Sequence, residues 1–160
     1  MASTAHTTTD QGFLALLMHL ARVTGRETDA ALAGVDGLRP RHLVGLRLLR
    51  DHGPLAQAAL GEALRLDPSN VVGLLNDLEA RGLVARRRDP ADRRRHIVEL
   101  SDEGRATLAR AEAGLASVEE GVLRGLTAEE RCTLHDLLLR AAGGTLPDCT
   151  EAAAMDEAGC

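Results

Sequence analysis

A cluster of arginines between residues 81 and 95 is the feature of the sequence best suited to bind another molecule. The segment has a net charge of +5, while the whole chain has a net charge of −5. It contains the two carboxylates Asp89 and Asp92 and seven arginines, at positions 81, 86, 87, 88, 93, 94 and 95. Guanidinium groups are weakly hydrated and pair with phosphates or carboxylates through forked hydrogen bonds. The segment therefore predicts a surface that binds a polyanion.

A predicted helix precedes the cluster and offers a second surface. Asp67 is a typical N-cap, Pro68 suits the first helical position and Gly82 suits the end, so the helix should run from about Pro68 to Arg81. One stripe is apolar and should be buried: Val71, Leu74, Leu75 and Leu78. The opposite face carries Ser69, Asn70, Val72, Gly73 and Asn76. Small and amide side chains on a helix can contact base edges in the major groove of double-stranded DNA.

Two predicted strands carry the arginines. Residues Leu83 to Arg87 and His96 to Leu100 have strand character, and the segment between Asp89 and Asp92 is typical of a turn. An antiparallel hairpin would place four arginines at or near its tip: Arg88, Arg93, Arg94 and Arg95. Arginine suits a narrow minor groove, where the negative potential is enhanced.

Further helices are predicted before this unit. Pro40 to His52 and Leu55 to Leu64 have helical patterns, and the second is separated from Asp67 by a short turn. Two short helices joined in this way form a helix-turn-helix, and the hairpin after them makes it winged. Gln57, at the start of its helix, is a candidate for a phosphate contact.

The hairpin resembles a known sequence signature. Residues Asp92 to Gly104 fit the pattern D-x-R-x-x-x-V-x-L-[ST]-x-x-G, which is the wing signature of the MarR family of bacterial transcriptional regulators. Leu78 to Val84 resembles the end of that family's recognition helix, and a weaker resemblance spans about residues 11–142. The family usually has glycine where Arg65 stands, and often a longer polar or basic residue where Val72 and Gly73 stand. We therefore expect the helix to make fewer polar base contacts and the wing to contribute more of the affinity.

The resemblance and the helix patterns together predict the organisation of the chain. The fold is expected to be mainly α with a small β-hairpin wing: one domain over 11–142, with a winged helix-turn-helix over about 40–100. Helices over about 11–31 and 101–142 carry apolar stripes that the winged helix-turn-helix of a single chain cannot cover. The resemblance implies that these helices form a homodimer. Residues 1–10 are expected to be a flexible arm, and the acidic residues 143–160 a disordered tail.

The resemblance also implies a ligand. Proteins of this family commonly release DNA on binding small phenolic anions. His19 and Arg22 lie three residues apart on the first helix, and His42 begins the second, so these side chains are candidates to hold a small aromatic or phenolic anion. A structural role for the same residues is the competing interpretation.

Other classes of function find little support in the sequence. The three cysteines and six histidines lack the spacing of a zinc site, no cofactor motif is present, and no catalytic motif suggests an enzyme. A single Phe, with no Trp or Tyr, makes binding of single strands by base stacking unfavourable. The longest apolar run is far shorter than the ~18 residues of a membrane span, and the arm does not resemble a signal peptide, so a cytoplasmic protein is expected.

The sequence thus predicts a homodimeric repressor that binds a palindromic DNA operator and is released by a small molecule. The alternative is a helical protein-interaction module that uses its arginine-rich hairpin to bind acidic partners.

Overall fold

The computed structural model describes residues 9–143, with side chains from residue 12, and confirms a mainly helical fold with a small antiparallel sheet. The helices are α1 (Thr9–Ala33), α2 (Pro40–His52), α3 (Gln57–Ala63), α4 (Pro68–Ala80), α5 (Asp102–Val122) and α6 (Ala128–Ala141). The strands are β1 (Leu55–Ala56), β2 (Val84–Arg88) and β3 (His96–Leu100). Most of the predicted arm and almost all of the predicted tail lie outside the described residues.

The sheet has one strand more than the sequence predicted. Its order is β1-β3-β2, with both pairs antiparallel, and Leu55 lies opposite Val98. The sequence pattern predicts that Leu55 and Ala56 begin a helix, whereas the helix α3 begins at Gln57. They are extended because they complete the hydrogen bonding of the free edge of β3, which ties the start of α3 to the hairpin.

Helix α4 begins after the N-cap residue that the sequence predicted, Asp67. The Asp67 carboxylate accepts hydrogen bonds from the backbone N–H groups of Ser69, at 2.9 Å, and Asn70, at 3.1 Å. The four apolar residues of its predicted stripe are at most 3% exposed. Each such buried side chain contributes about 1.5–3 kcal/mol relative to an exposed one, so this stripe fixes which face of α4 remains outside.

The turn between α3 and α4 contains a residue in a left-handed conformation. Arg65 has φ +50°, a region that a non-glycine residue enters at a cost of about 1–2 kcal/mol. Its backbone N–H donates to the Glu62 carbonyl, and the next N–H, of Leu66, donates to Gly61. These two bonds close the turn around Arg65.

The hairpin β2–β3 is joined closely to the start of α5. The Ser101 hydroxyl caps α5 by accepting from the Gly104 N–H at 2.9 Å, and it donates to the Gly82 carbonyl at 2.6 Å. The Ser101 N–H donates to the Leu83 carbonyl at 3.1 Å. One residue thus connects the end of α4, the base of the hairpin and the long helix α5.

The outer helices expose apolar side chains. Helix α1 packs along α5, yet Phe13 and Leu16 on its other side are 64% and 63% exposed. Leu137 and Leu138 on α6 are about half exposed as well. Within residues 9–143, no helix has the length and apolar character needed to cross a membrane.

Candidate nucleic-acid interface

The outward side of α4 is a continuous exposed face, which we call the recognition face. It consists of the five residues that the sequence predicted: Ser69, Asn70, Val72, Gly73 and Asn76, and all five are exposed. The buried stripe on the other side holds the helix against the core, so these side chains are presented outward by a rigid support. Small side chains at Ser69, Val72 and Gly73 allow the helix backbone to approach a second surface closely.

The first turn of the recognition face is organised by Asp67. The Ser69 hydroxyl donates to one Asp67 carboxylate oxygen at 2.5 Å, and Asn70 Nδ2 donates to the other at 2.6 Å. These bonds, with that from Ser69 foremost, hold the pKa of the Asp67 carboxyl below its usual range. Because Asp67 is ionised and accepts only, Asn70 is left with its side-chain oxygen available as an acceptor.

The third turn is organised by a residue of the hairpin. Arg86, on β2, donates from Nη2 to Asn76 Oδ1 at 2.7 Å and from Nε to Glu79 Oε2 at 2.9 Å. Arg86 belongs to the arginine cluster of the sequence, but its contact with α4 was not predicted. A signal was present, since Asn76 and Glu79 are three residues apart and so share one side of the helix.

The tip of the hairpin presents the predicted arginines to solvent. Arg88, Arg93, Arg94 and Arg95 are all exposed. The two carboxylates of the segment shape the loop: Asp89 accepts from the Ala91 N–H at 2.9 Å, and Asp92 accepts from the Arg94 N–H at 3.0 Å. Asp92 also lies 3.4 Å from Arg95 Nε. The loop is therefore held by its acidic residues while the guanidinium groups stay outside.

A cleft lies between the start of α4 and the hairpin tip. Its volume is about 810 Å³, and it brings together residues that are far apart in the sequence. Its polar lining includes Gln57, Arg65, Arg94, Arg95 and His96, together with one carboxylate, Glu62, and Pro68 at the start of α4 borders it. Gln57 thus lies on the same side of the molecule as the hairpin arginines and the first turn of α4. An extended anion would meet amide, guanidinium and imidazole groups along one path.

The three candidate effector residues are not brought together. His42 is fully buried, and its Nδ1 accepts from the Arg39 N–H at 3.2 Å, with Nε2 3.4 Å from the Asp77 carboxylate. Burial lowers the pKa of the imidazole to about 4, and the charges of Arg41 and Arg81 add to this effect. His19 and Arg22 are exposed on α1.

A second cavity, of about 680 Å³, lies between α1 and α5. Among the described residues it is lined by His19, but by neither Arg22 nor His42. No group of three or more His, Cys, Asp or Glu within residues 9–143 could hold a metal ion. Cys132 is exposed and carries a free thiol, while Cys149 and Cys160 lie outside the described residues.

Comparisons with known proteins agree with this geometry. A family model described as MarR family matches residues 38–96. The chain is 31% identical over 115 residues to the putative transcriptional regulatory protein for the hcr operon of Thauera aromatica, covering 72% of this chain and 69% of that protein. It is 40% identical over 95 residues to the HTH-type transcriptional repressor NicR of Pseudomonas putida, covering 59% of this chain and 60% of NicR.

The fold has a close counterpart among solved structures. The crystal structure of the YusO protein of Bacillus subtilis superposes with a TM-score of 0.79 at 24% identity, covering 89% of this chain and all of YusO as solved (100%). The similarity includes the long outer helices as well as the winged helix-turn-helix, because the winged helix-turn-helix alone would account for a much smaller share of either chain.

Proposed function

The chain belongs to the MarR family and is a DNA-binding transcriptional regulator, and from that premise we propose that it is a homodimeric repressor of a palindromic operator. Regulators of this family are not enzymes. NicR, a similar protein, is named a repressor, which supports the same sign of regulation here. Because an operator lies on the chromosome, we expect the protein in the cytoplasm.

One observation carries the proposal: the start of α4 and two of the hairpin arginines border the same cleft. Arg94 and Arg95 line it from the wing, Pro68 from the start of α4, and Gln57 from the start of α3. In winged helix-turn-helix proteins, phosphate contacts fix the register while side chains on one helix contact base edges. We propose that Gln57 and the wing arginines Arg88 and Arg93 to Arg95 bind the backbone and minor groove, and that the recognition face enters the major groove.

The charge distribution supports a DNA partner as well. The hairpin segment carries a charge of +5, while the rest of the chain sums to −10. Because the net charge outside the hairpin is negative, electrostatic steering favours an approach in which the hairpin faces the DNA. A protein that is basic on all sides would bind DNA without favouring one orientation.

A homodimer is proposed from the apolar side chains on α1 and α6. Phe13, Leu16 and Met18 are each more than half exposed, and the outer face of α6 adds Leu137 and Leu138. Exposed apolar surface on this scale is typical of an interface. A two-fold dimer would present two recognition helices about one DNA turn apart, which matches a palindrome.

We also propose that a small aromatic or phenolic anion releases the DNA, and that it binds near His19. The cavity between α1 and α5 has apolar walls from Val23 and Val118 and cationic or polar groups from His19 and Arg124, with Glu27 opposing an anion. Arg22 remains a candidate from the exposed side of α1. His42 is not part of this proposal, because its ring is enclosed in the protein.

The test is selection of binding sites from random double-stranded DNA at near-physiological salt. A palindrome with half-sites about 10 base pairs apart is expected. If no sequence is enriched and retention follows ionic strength alone, the arginine hairpin is a general polyanion surface, and an acidic protein partner becomes the better explanation.

A further inference from the structure

Val72 is an exposed apolar side chain in the winged helix-turn-helix. Among the described residues, the large apolar side chains with high exposure lie on α1 and α6, and Val72, which is 39% exposed, is the exception. The other large apolar side chains of α4 are buried in the core. The proposed homodimer uses α1 and α6, so it does not account for the exposure of Val72.

Val72 lies at the centre of the recognition face. Ser69 is three residues before it and Asn76 is four residues after it, so both are its neighbours on the helix surface. Gly73 follows it, and a Cβ atom added to this glycine would meet nothing within 4 Å. A partner that approaches α4 from outside therefore reaches the Val72 methyl groups without meeting a side chain of the next residue.

The polar side chains around Val72 make hydrogen bonds within the protein. Ser69 and Asn70 donate to the Asp67 carboxylate at 2.5 Å and 2.6 Å. Asn76 accepts from an arginine of β2 at 2.7 Å. These polar groups keep further capacity for hydrogen bonds, which suits them to bind base edges or phosphates. Val72 offers methyl groups alone, so its contribution to binding depends on an apolar group in the partner.

We propose that Val72 selects thymine by contacting the methyl group at C5 of the base. The inference rests on the proposed function. In the major groove the base pairs present hydrogen-bond donors and acceptors, and the one methyl group among them belongs to thymine. Opposite another base, the valine would cover polar atoms without bonding to them, which is unfavourable. A thymine is therefore expected at the same position of both half-sites.

Deoxyuridine tests this contact because it differs from thymidine only in lacking the methyl group. An operator is first selected from random double-stranded DNA with the wild type. Each symmetric pair of thymines is then replaced by deoxyuridine in turn, and the affinity is measured. Covering one methyl group is worth about fourfold in affinity, so losing it from both half-sites should weaken binding about 15-fold at the position that Val72 contacts.

Val72→Ala identifies the residue responsible, with Ser69→Ala as its matched control. Both variants shorten a side chain on the same face of α4, but serine has no methyl group to lose. In Val72→Ala the deoxyuridine penalty at one symmetric position should fall to about twofold or less, whereas Ser69→Ala should keep the full penalty. Because Val72 is exposed and alanine favours helix, Val72→Ala should fold, which thermal melting checks.

The outcomes separate this inference from the proposed function. An enriched palindrome in which no thymine methyl group affects the wild type would leave the regulator intact and refute the inference. A penalty that is unchanged at every position in Val72→Ala would refute it too, because the methyl group would then act through the shape of the DNA or through another residue. If the wild type enriches no sequence, sequence-specific DNA binding itself is refuted, and the inference with it.

Discussion

Replacing Gly104 with alanine should test the junction between the wing and α5 by steric conflict alone. Gly104 is buried in the first turn of α5. A methyl group there would overlap the carbonyl oxygen of Leu83 and lie 2.7 Å from the terminal carbon Cδ1 of Leu100. Real contacts of a Cβ atom with its neighbours essentially never fall below 3.0 Å, so the structure has to shift.

The size of the effect follows from what would have to move. The Leu83 carbonyl is fixed because it accepts from the Ser101 N–H at 3.1 Å, and the Leu83 side chain is 2% exposed. Backbone held in this way cannot yield as a flexible side chain would. Overpacking costs about 1–3 kcal/mol, and we expect the upper end here. For a chain of this size that lowers the melting temperature by roughly 6–12 °C.

Gly25→Ala is the matched control for this substitution. Gly25 lies inside α1, where a Cβ would meet nothing within 4 Å. Alanine there should raise the stability by about 0.5–1 kcal/mol, because glycine is a poor helix former. Thermal melting and urea unfolding of both variants are the measurements. An unchanged melting temperature for Gly104→Ala would refute the tight junction.

Three further predictions concern DNA binding, assembly and pH. Arg94→Ala should weaken binding to all sequences and reduce the slope of log affinity against log salt by about 2, because a dimer loses two phosphate contacts and each contributes about 0.9 to the slope. Arg26→Ala, at an exposed arginine of α1, is the control. An unchanged slope for Arg94→Ala would contradict the wing assignment. Leu16→Glu should convert the dimer to a monomer in sedimentation without lowering the stability of the single chain, since Leu16 is 63% exposed there; a retained dimer would exclude this face of α1 as the interface. The low pKa of His42, about 4, means that between this pH and about 6.5 the unfolded chain binds a proton that the folded chain does not. Stability should therefore fall by about 1.4 kcal/mol per unit as the pH drops through that window, and His42→Asn should lack this component in urea unfolding at pH 7 and pH 5.

The helix ends could be predicted from the sequence because their causes are local. Helix α2 begins at Pro40, and α4 begins at Pro68 after the Asp67 cap, as expected. The strand His96–Leu100 was also placed correctly. Proline geometry, capping oxygens and the alternation of side chains act within a few residues, so one sequence is enough to recognise them.

Strand β1 could not be predicted because its cause is distant. Leu55 and Ala56 are two residues with no strand pattern of their own, and they are extended because β3, some forty positions later, offers a free edge. The recognition face of α4 could be predicted only in part. Its exposure followed from the periodicity of α4, but the contact between Asn76 and Arg86 depends on another element, the strand β2.

His42 shows how a site prediction fails when burial is ignored. As a polar residue near the start of α2, it is a candidate from the sequence to bind an anion. It lies on the same helical stripe as Leu46 and Leu49, four and seven residues later, and all three are buried. That spacing was readable from the sequence, and it favours an enclosed histidine over an exposed one.

The hydrogen bonds of the head indicate that the recognition helix and the wing move as one body. Arg86 fixes the middle of α4 to β2, and Ser101 fixes the base of the hairpin to α5. At the end of α4, Arg81 donates to the Gly37 carbonyl at 3.1 Å, while Arg110 of α5 donates to the neighbouring Asp36 carboxylate at 2.8 Å. A ligand that moves α1 against α5 would therefore displace the whole head instead of bending the wing. In a dimer, such a ligand would change the distance between the two copies of α4. That distance has to match the spacing of the half-sites in a palindrome, so the change would weaken DNA binding.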